Sequence, residues 1–320
     1  MDRRDKVLQD LNLSGLGLEI GAGYSPVAAG DPALNVRTLD HLDTAALVEK
    51  YSVHDVDVGL IQPVDYVWSG QRYRDLVGET RFDWIIASHV IEHVPDMVGF
   101  INECGEILTE DGVLSLVIPD KRFCFDYFRP PTGLSRFVDA HIDGRRISSP
   151  GSVAELFINF ARLEDGRTWS WELGGEPQAQ NRHDKALHGL GQVSRGEYVD
   201  THAWVFTPHS LRLAVHDLHK LELLQLRERS FSDTAGNEFF LQLSRGGGGE
   251  VPDRHTLTQR ALREMSTHAG AEPPIRPPPP PDLRPEVEAL QAVLADIQGS
   301  TSWRVTAPLR ALKRMFDPRA

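Results

Sequence analysis

The stretch "LGLEIGAGYSPVA", residues 16–28, decides the fold. An apolar run, Leu16–Ile20, carries one acid, Glu19, and passes at once into Gly21 and Gly23. Glycine adopts backbone angles that other residues resist and lets the chain pass close to a ligand. The stretch therefore reads as a buried strand entering a ligand-binding turn. The dinucleotide pattern G-x-G-x-x-G needs its third glycine for helix–strand packing, and Pro26 stands at that position. The turn points to a nucleotide-like ligand and disfavours NAD.

Similar short apolar runs continue outward from this turn. "ALNVRTLD" (33–40), "VDYVW" (64–68), "FDWIIAS" (82–88) and "GVLSLVIPD" (112–120) read as four further strands. Between the last two, residues 96–112 space Met97, Phe100, Ile101, Ile107 and Leu108 as a helix that stops at Gly112. Alternation of this kind predicts a parallel sheet with helices on both faces. "PHSLRLAVHDLHK" (208–220) reads as a helix with Thr207 as N-cap and Pro208 in first position. "LELLQLRER" and "EFFLQLSR" then supply two last strands. The predicted class is α/β, a Rossmann-like, seven-stranded, mostly parallel sheet.

Residues 121–205 lack clear periodicity and are rich in aromatic, His, Arg and Gly residues, which predicts an insertion after the fifth strand that covers the site. The domain is expected to span 1–245. A Gly/Pro-rich linker, 246–285, and a helical tail, 286–320, follow.

The chain has 320 residues, with 34 Lys and Arg against 46 Asp and Glu, a net charge of −12. This balance argues against a nucleic-acid partner. Only Cys104 and Cys124 occur and they form no CxxC pair, so neither a disulfide framework nor a cysteine-built zinc site is expected, and a reducing compartment is. The N-terminus has no apolar core of a signal peptide, and no run approaches the ~18 apolar residues of a membrane span. A cytoplasmic location is the expectation.

Three neighbours sharpen the glycine turn. Glu19 precedes it, Asp40 closes the second strand, and "SHVIEHV" (88–94) follows the fourth. Together they resemble the class I S-adenosylmethionine-dependent methyltransferases of the small-molecule type, over roughly residues 15–120. The resemblance implies S-adenosylmethionine as cofactor, with Glu19, Gly21 and Gly23 around its methionine part and Asp40 on its ribose. Asp43 is the backup for the ribose. Ser69 stands near the place where the family often has an acid that meets the adenine, and Ser88 opens the fourth motif. In the family the "EHV" histidine, here His93, often packs under the cofactor.

Methyl transfer from a sulfonium to a hydroxyl is an in-line displacement that depends on alignment. A poorly acidic hydroxyl needs a base or a metal, and histidine titrates in the right range. His89 sits at the carboxyl edge of the sheet, where ligands bind in open α/β folds. In the insertion, His183, Asp184, His188, Asp200 and His202 cluster along the sequence. His89, His183, Asp184 and His202 are the expected catalytic residues. A divalent metal is admitted but not favoured, since no helical H-x-x-x-H or H-x-H pattern supports one. Arg122 and Arg129 are candidates to hold the acceptor, and Phe123, Phe125, Tyr127 and Phe128 to stack on a sugar, with at least half of these aromatics expected in the core.

The segment "STSWRVTAPLR" (300–310) resembles a short C-terminal signature, S-x-S-W-R-x-T-x-P-L-R, of bacterial glycosyltransferases and methyltransferases of polysaccharide assembly. It implies a glycan or glycolipid acceptor and O-methylation of a sugar hydroxyl. From Gly299 onward the chain carries five basic residues and one acid beside Trp303, Leu309, Leu312, Met315 and Phe316. Such a segment suits the inner membrane surface, a partner protein of polysaccharide assembly, or a fold-back onto the domain. The rival readings are a small-molecule O- or N-methyltransferase of secondary metabolism and a non-catalytic assembly protein.

Overall fold

The computed structural model describes residues 2–164 and 177–266. All of them belong to one unit, Met1–Glu272. The proline run and the tail at 286–320 lie outside the described residues.

The chain opens with α1 (Arg3–Leu8), then β1 (Leu16–Ile20), β2 (Asn35–Asp40), α2 (Thr44–Tyr51), β3 (Tyr66–Val67), α3 (Tyr73–Val77), β4 (Phe82–Ser88), α4 (Met97–Ile107) and β5 (Leu108–Pro119). The segment expected to be an insertion contains α5 (Leu134–Ile142), α6 (Pro150–Ile158), the short paired strands β6 (Ala161–Arg162) and β7 (Gln178–Ala179), and α7 (His183–Ser194). Then come α8 (Pro208–Lys220), β8 (Arg227–Ala235), β9 (Glu238–Ser244) and α9 (Arg254–Ser266). The main sheet runs β3-β2-β1-β4-β5-β9-β8. Its first five strands are parallel, and β9 is antiparallel to both neighbours. This is the seven-stranded, mostly parallel sheet that the alternation predicts.

The apolar strands fill both faces, as a sheet covered on both sides requires. Side chains alternate along a strand. Ile85 and Ala87 of β4 thus join Leu18, Leu114 and Leu116 under Ile101 of α4 and Leu211, Val215 and Leu218 of α8. Trp84 and Ile86 face the opposite way and meet Val117, Phe240 and the α1 residues Val7 and Leu8. Each such side chain contributes about 1.5–3 kcal/mol on burial. Gly17 lies in register with Trp84, and a Cβ at position 17 would come within 2.1 Å of the indole carbons. The indole occupies the space of the missing side chain.

The structure departs from the sequence reading in three places. The helix after β4 is capped by Asp96, which accepts from Gly99 N at 2.9 Å, but it ends at Ile107 rather than Gly112. Leu108 is extended and pairs with Phe82, so Thr109–Gly112 begin β5 beside an irregular register. The connection from β1 to β2 carries no helix. Finally, the folded unit does not stop near Arg245. Residues 254–266, placed by composition in the linker, form α9 against α8. Arg254 grips Asp217 through two bonds of 2.8 and 2.9 Å, Glu264 accepts from His209 N at 3.0 Å and pairs with its Nδ1 at 2.5 Å, and Leu257 is buried.

No helix among the described residues is long and apolar enough to cross a membrane.

Candidate active site

The parallel strands β1, β2 and β4 end at one edge of the sheet, and the turns that leave them build the site. Gly21 and Gly23 have φ of +67° and +49°, in the left-handed region. Gly21 N donates to Leu39 O at 2.8 Å, which fixes the turn against the end of β2. A Cβ on Gly21 would press to 2.7 Å from Val90 Cγ2 in the loop after β4. A Cβ on Gly23 would meet nothing closer than Tyr51 Oη at 3.7 Å. The bare backbone at 21–23 therefore has β2, the β4 loop and the end of α2 around it.

Glu19 shapes this turn from beneath. Its carboxylate is buried and accepts from Val27 N at 2.6 Å, Ala28 N at 2.9 Å and Ala29 N at 2.7 Å. The structure gives Glu19 another role than the direct cofactor contact expected of it: its oxygens hold the amides of the loop that follows the turn. Asp40 is buried at the end of β2, and its Oδ1 accepts from His41 N at 2.7 Å and lies 2.6 Å from His41 Nδ1. Among the described residues both bonds fall on Oδ1, which leaves Oδ2 for a ligand hydroxyl. Asp43, the backup, caps α2 through Ala46 N at 2.9 Å, so the helix accounts for it. Ser69 is exposed and turned onto Gln71 Oε1. Ser88 Oγ accepts from Arg3 Nη2 at 2.9 Å.

The loop after β4 then meets the segment 199–207. Glu92 O accepts from Ala203 N at 2.7 Å and Trp204 N at 3.2 Å, and Trp204 Nε1 donates to Val94 O at 2.6 Å. This stitching brings Glu92, His93 and His202 together, with one potential ligand atom from each lying within 4.8 Å of the others. The His93 and His202 rings meet edge to face, 4.7 Å between centroids. His202 Nδ1 pairs with Asp126 Oδ2 at 2.5 Å, and Asp126 Oδ1 accepts from Arg129 Nη1 at 2.6 Å. Burial pushes the Asp126 carboxyl up, but His202 and Arg129 outweigh it and hold it down at about 2. His93 Nδ1 lies 2.9 Å from Asp200 Oδ1, and this partner holds Asp200 at about 2.

His89 has φ +55° and its ring is pinned between Glu238 (Nε2, 2.8 Å) and Glu92 (Nδ1, 3.4 Å). Burial lowers its pKa, but the two carboxylates more than reverse this and raise it to about 9. The base expected at His89 is corrected: near neutrality the ring is an imidazolium with no lone pair to offer. Its pairing makes stability pH-dependent. The folded pKa is the higher one, so the contribution is complete below the unfolded value of about 6.5 and is lost as pH rises through about 9. Thermal melts should show a decline across this window. His89→Asn, which tolerates the positive φ, should remove most of it.

His183 and Asp184 are exposed at the start of α7, and His183 Nδ1 turns to Asn181 O at 3.0 Å. Among the described residues no bond joins them to the cluster at His202, so the sequence grouping of His183, Asp184 and His202 is not a spatial one. Arg129 is fully buried on Asp126 and supports the cluster rather than an acceptor. Arg122 forks onto Asp120 with bonds of 2.6 to 3.1 Å. Phe125 stacks on Phe160 at 4.9 Å and also touches the His202 ring at 4.5 Å, so it does border the site. Sequence reasoning missed Glu92 and Asp126 as members. Glu92 was visible inside "SHVIEHV", but nothing local marks Asp126, whose partner His202 stands 76 residues away.

The described geometry can hold a nucleotide-like ligand on the turn and a polar acceptor against the imidazoles. Comparison with solved structures returns chains of low similarity. The CcbJ methyltransferase from Streptomyces caelestis is 13% identical, with 76% of this chain and 96% of that chain covered and a TM-score of 0.39. An O-methyltransferase family protein from Burkholderia thailandensis is 14% identical, with 76% and 55% covered and a TM-score of 0.36. An S-adenosylmethionine-dependent methyltransferase from Clostridium acetobutylicum is 10% identical, with 73% and 84% covered and a TM-score of 0.36. No curated protein matches the sequence. The methyltransferase domain family matches residues 1–219, well over half of the chain. The glycine turn, the acid after β2 and the "SHVIEHV" loop all fall inside that match, and the chain belongs to the methyltransferase domain family, a family of methyl-transferring enzymes.

Proposed function

We propose that the chain is an S-adenosylmethionine-dependent O-methyltransferase whose acceptor is a sugar hydroxyl of a glycan or glycolipid. The observation that carries the reading is the juxtaposition at one sheet edge of an open glycine turn, Gly21–Gly23, Asp40 with a free Oδ2, and the imidazoles of His93 and His202. The fit to the cofactor rests on the same features: Gly21 and Gly23 present backbone without a Cβ, and the ribose partner is buried and, among the described residues, half used. When bound, S-adenosylmethionine supplies an electrophilic methyl on a sulfonium. Gly21 and Gly23 would receive the methionine part, and Asp40 would accept from the ribose. The His93–His202 cluster would meet the acceptor hydroxyl. Phe125 offers a ring face beside it. The acceptor class rests on the likeness of residues 300–310 to the tails of polysaccharide-assembly enzymes.

Calorimetric titration tests the cofactor. S-adenosylmethionine and S-adenosylhomocysteine should bind and NAD should not; no heat with the first two overturns the reading. Asp40→Ala removes a charged acceptor worth about 1.5–3 kcal/mol, so affinity should fall roughly 10–100-fold. An unchanged affinity would take Asp40 out of the site. Incubation with cell-surface glycan extracts and labelled S-adenosylmethionine tests the acceptor. Deleting residues 286–320, which leaves α9 in place, should impair methylation in cells if the tail serves polysaccharide assembly. Intact methylation would favour a small-molecule acceptor.

A further inference from the structure

We propose that Glu92, His93 and His202 form a binding site for a divalent transition-metal ion, with Zn²⁺ as the occupant of choice. The inference deepens the acceptor side of the proposed reaction and rests on that reading only for its role, not for the binding itself.

Glu92 provides the first argument. Its side chain is fully buried, and neither carboxylate oxygen has a hydrogen-bond partner among the described residues. His89 Nδ1 lies 3.4 Å from Oε1, an ion pair that offsets the carboxylate's charge in part. Apart from this one long contact the buried oxygens keep coordination capacity, which a cation can use. The second argument is the ligand set. Two imidazoles and one carboxylate from two separate segments converge within 4.8 Å. Two His and one Glu are a recurrent ligand set for zinc centres with an open position, and related sets hold other divalent first-row ions. Ligands at about 2.1 Å from zinc lie about 3.4 Å apart at tetrahedral angles, so rotations of about an ångström close the shell.

The surroundings supply the third. Metal-binding imidazoles have their other ring nitrogen held by a carboxylate. His202 has such a partner, Asp126, 2.5 Å from Nδ1, and His93 Nδ1 has the Asp200 carboxylate 2.9 Å away as an ion-pair neighbour without hydrogen-bond geometry. Arg129 anchors Asp126 in turn at 2.6 Å. The backbone bonds from Ala203 and Trp204 to Glu92 O fix the spacing between the two ligand-bearing segments. A zinc ion with three protein ligands keeps positions for oxygen, and a sugar hydroxyl is a suitable one.

Co²⁺ is the probe, because it is coloured and takes the same sites. The full-length chain, stripped with a chelator, should develop the visible bands of low-coordinate Co²⁺ with one ion per chain, and Zn²⁺ should displace them. Glu92→Gln and His202→Ala should abolish the bands. Asp200→Asn, at an exposed supporting position, should weaken Co²⁺ binding about 10–100-fold. His255→Gln, on exposed α9, should leave it unchanged. Melting curves and S-adenosylhomocysteine titration of each variant report folding separately. A folded chain without the bands overturns the proposal, as do bands that persist in Glu92→Gln. Failure to bind S-adenosylhomocysteine would strike the proposed activity while leaving the Co²⁺ result to be read by itself.

Discussion

Glu19→Ala should destabilise the protein by about 3 kcal/mol or more and abolish cofactor binding. The carboxylate accepts from three consecutive buried amides, Val27, Ala28 and Ala29. Each amide left without an acceptor costs about 1–3 kcal/mol. The loop they belong to has no helix to absorb them, so the loss falls directly on the shape of the Gly21–Gly23 turn. Denaturant titration and S-adenosylhomocysteine calorimetry measure the two effects. Glu19→Gln, which keeps one acceptor oxygen and presents an NH2 where the other stood, should lie between wild type and Glu19→Ala. A Glu19→Ala protein with an unshifted midpoint would show that the three amides find water.

Asp126→Ala should cost about 3–5 kcal/mol, the range for stripping one partner from a buried ion pair. Arg129 is 1% exposed and, among the described residues, would keep its charge with only Glu155 Oε2, 3.8 Å away, to compensate. The double variant Asp126→Ala/Arg129→Met removes the charge as well and should recover a large part of the loss, since the two side chains touch and their effects do not add. A double variant no more stable than Asp126→Ala would mean that the cost lies in His202 or in packing. Asp126 also carries a pH signature. Its folded pKa of about 2 lies below the unfolded value of about 3.9, so its contribution is complete above that value and is lost as pH falls towards 2.

The sheet was legible because its signals are local. β1, β4 and β9 are short, mostly apolar runs, and Thr207–Pro208 marks the start of α8 within its own few residues. Where the reading went astray, the deciding partner was distant. Thr109–Gly112 looks like the end of a helix until Leu108 finds Phe82. Residues 254–266 look like linker because most of their side chains are polar, and only Asp217 and His209 of α8 make them a docked helix. At the site, the structure places Gly21 and Gly23 at positive φ after β1 and Asp40 at the end of β2. Glu19 is the instructive case. An acid next to a glycine turn was read as a ligand contact, but the loop that claims it begins eight residues later. The histidines were grouped by sequence distance, whereas the fold groups His202 with Glu92 and Asp126 and leaves His183 and Asp184 on the surface.

The indole of Trp84 lying over Gly17 has a consequence for how this sequence can drift. A side chain at 17 cannot be accepted while the tryptophan remains, because the overlap is with a rigid ring inside the sheet's core. A smaller residue at 84 cannot be accepted first without leaving a hole the size of the lost ring, at about 3–5 kcal/mol for a Trp-to-Ala change. Each single step is penalised and the joint step is not, so the two positions are expected to change as a pair. They sit on adjacent strands at the sheet's centre, and any relative that has lost the glycine should have lost the tryptophan as well.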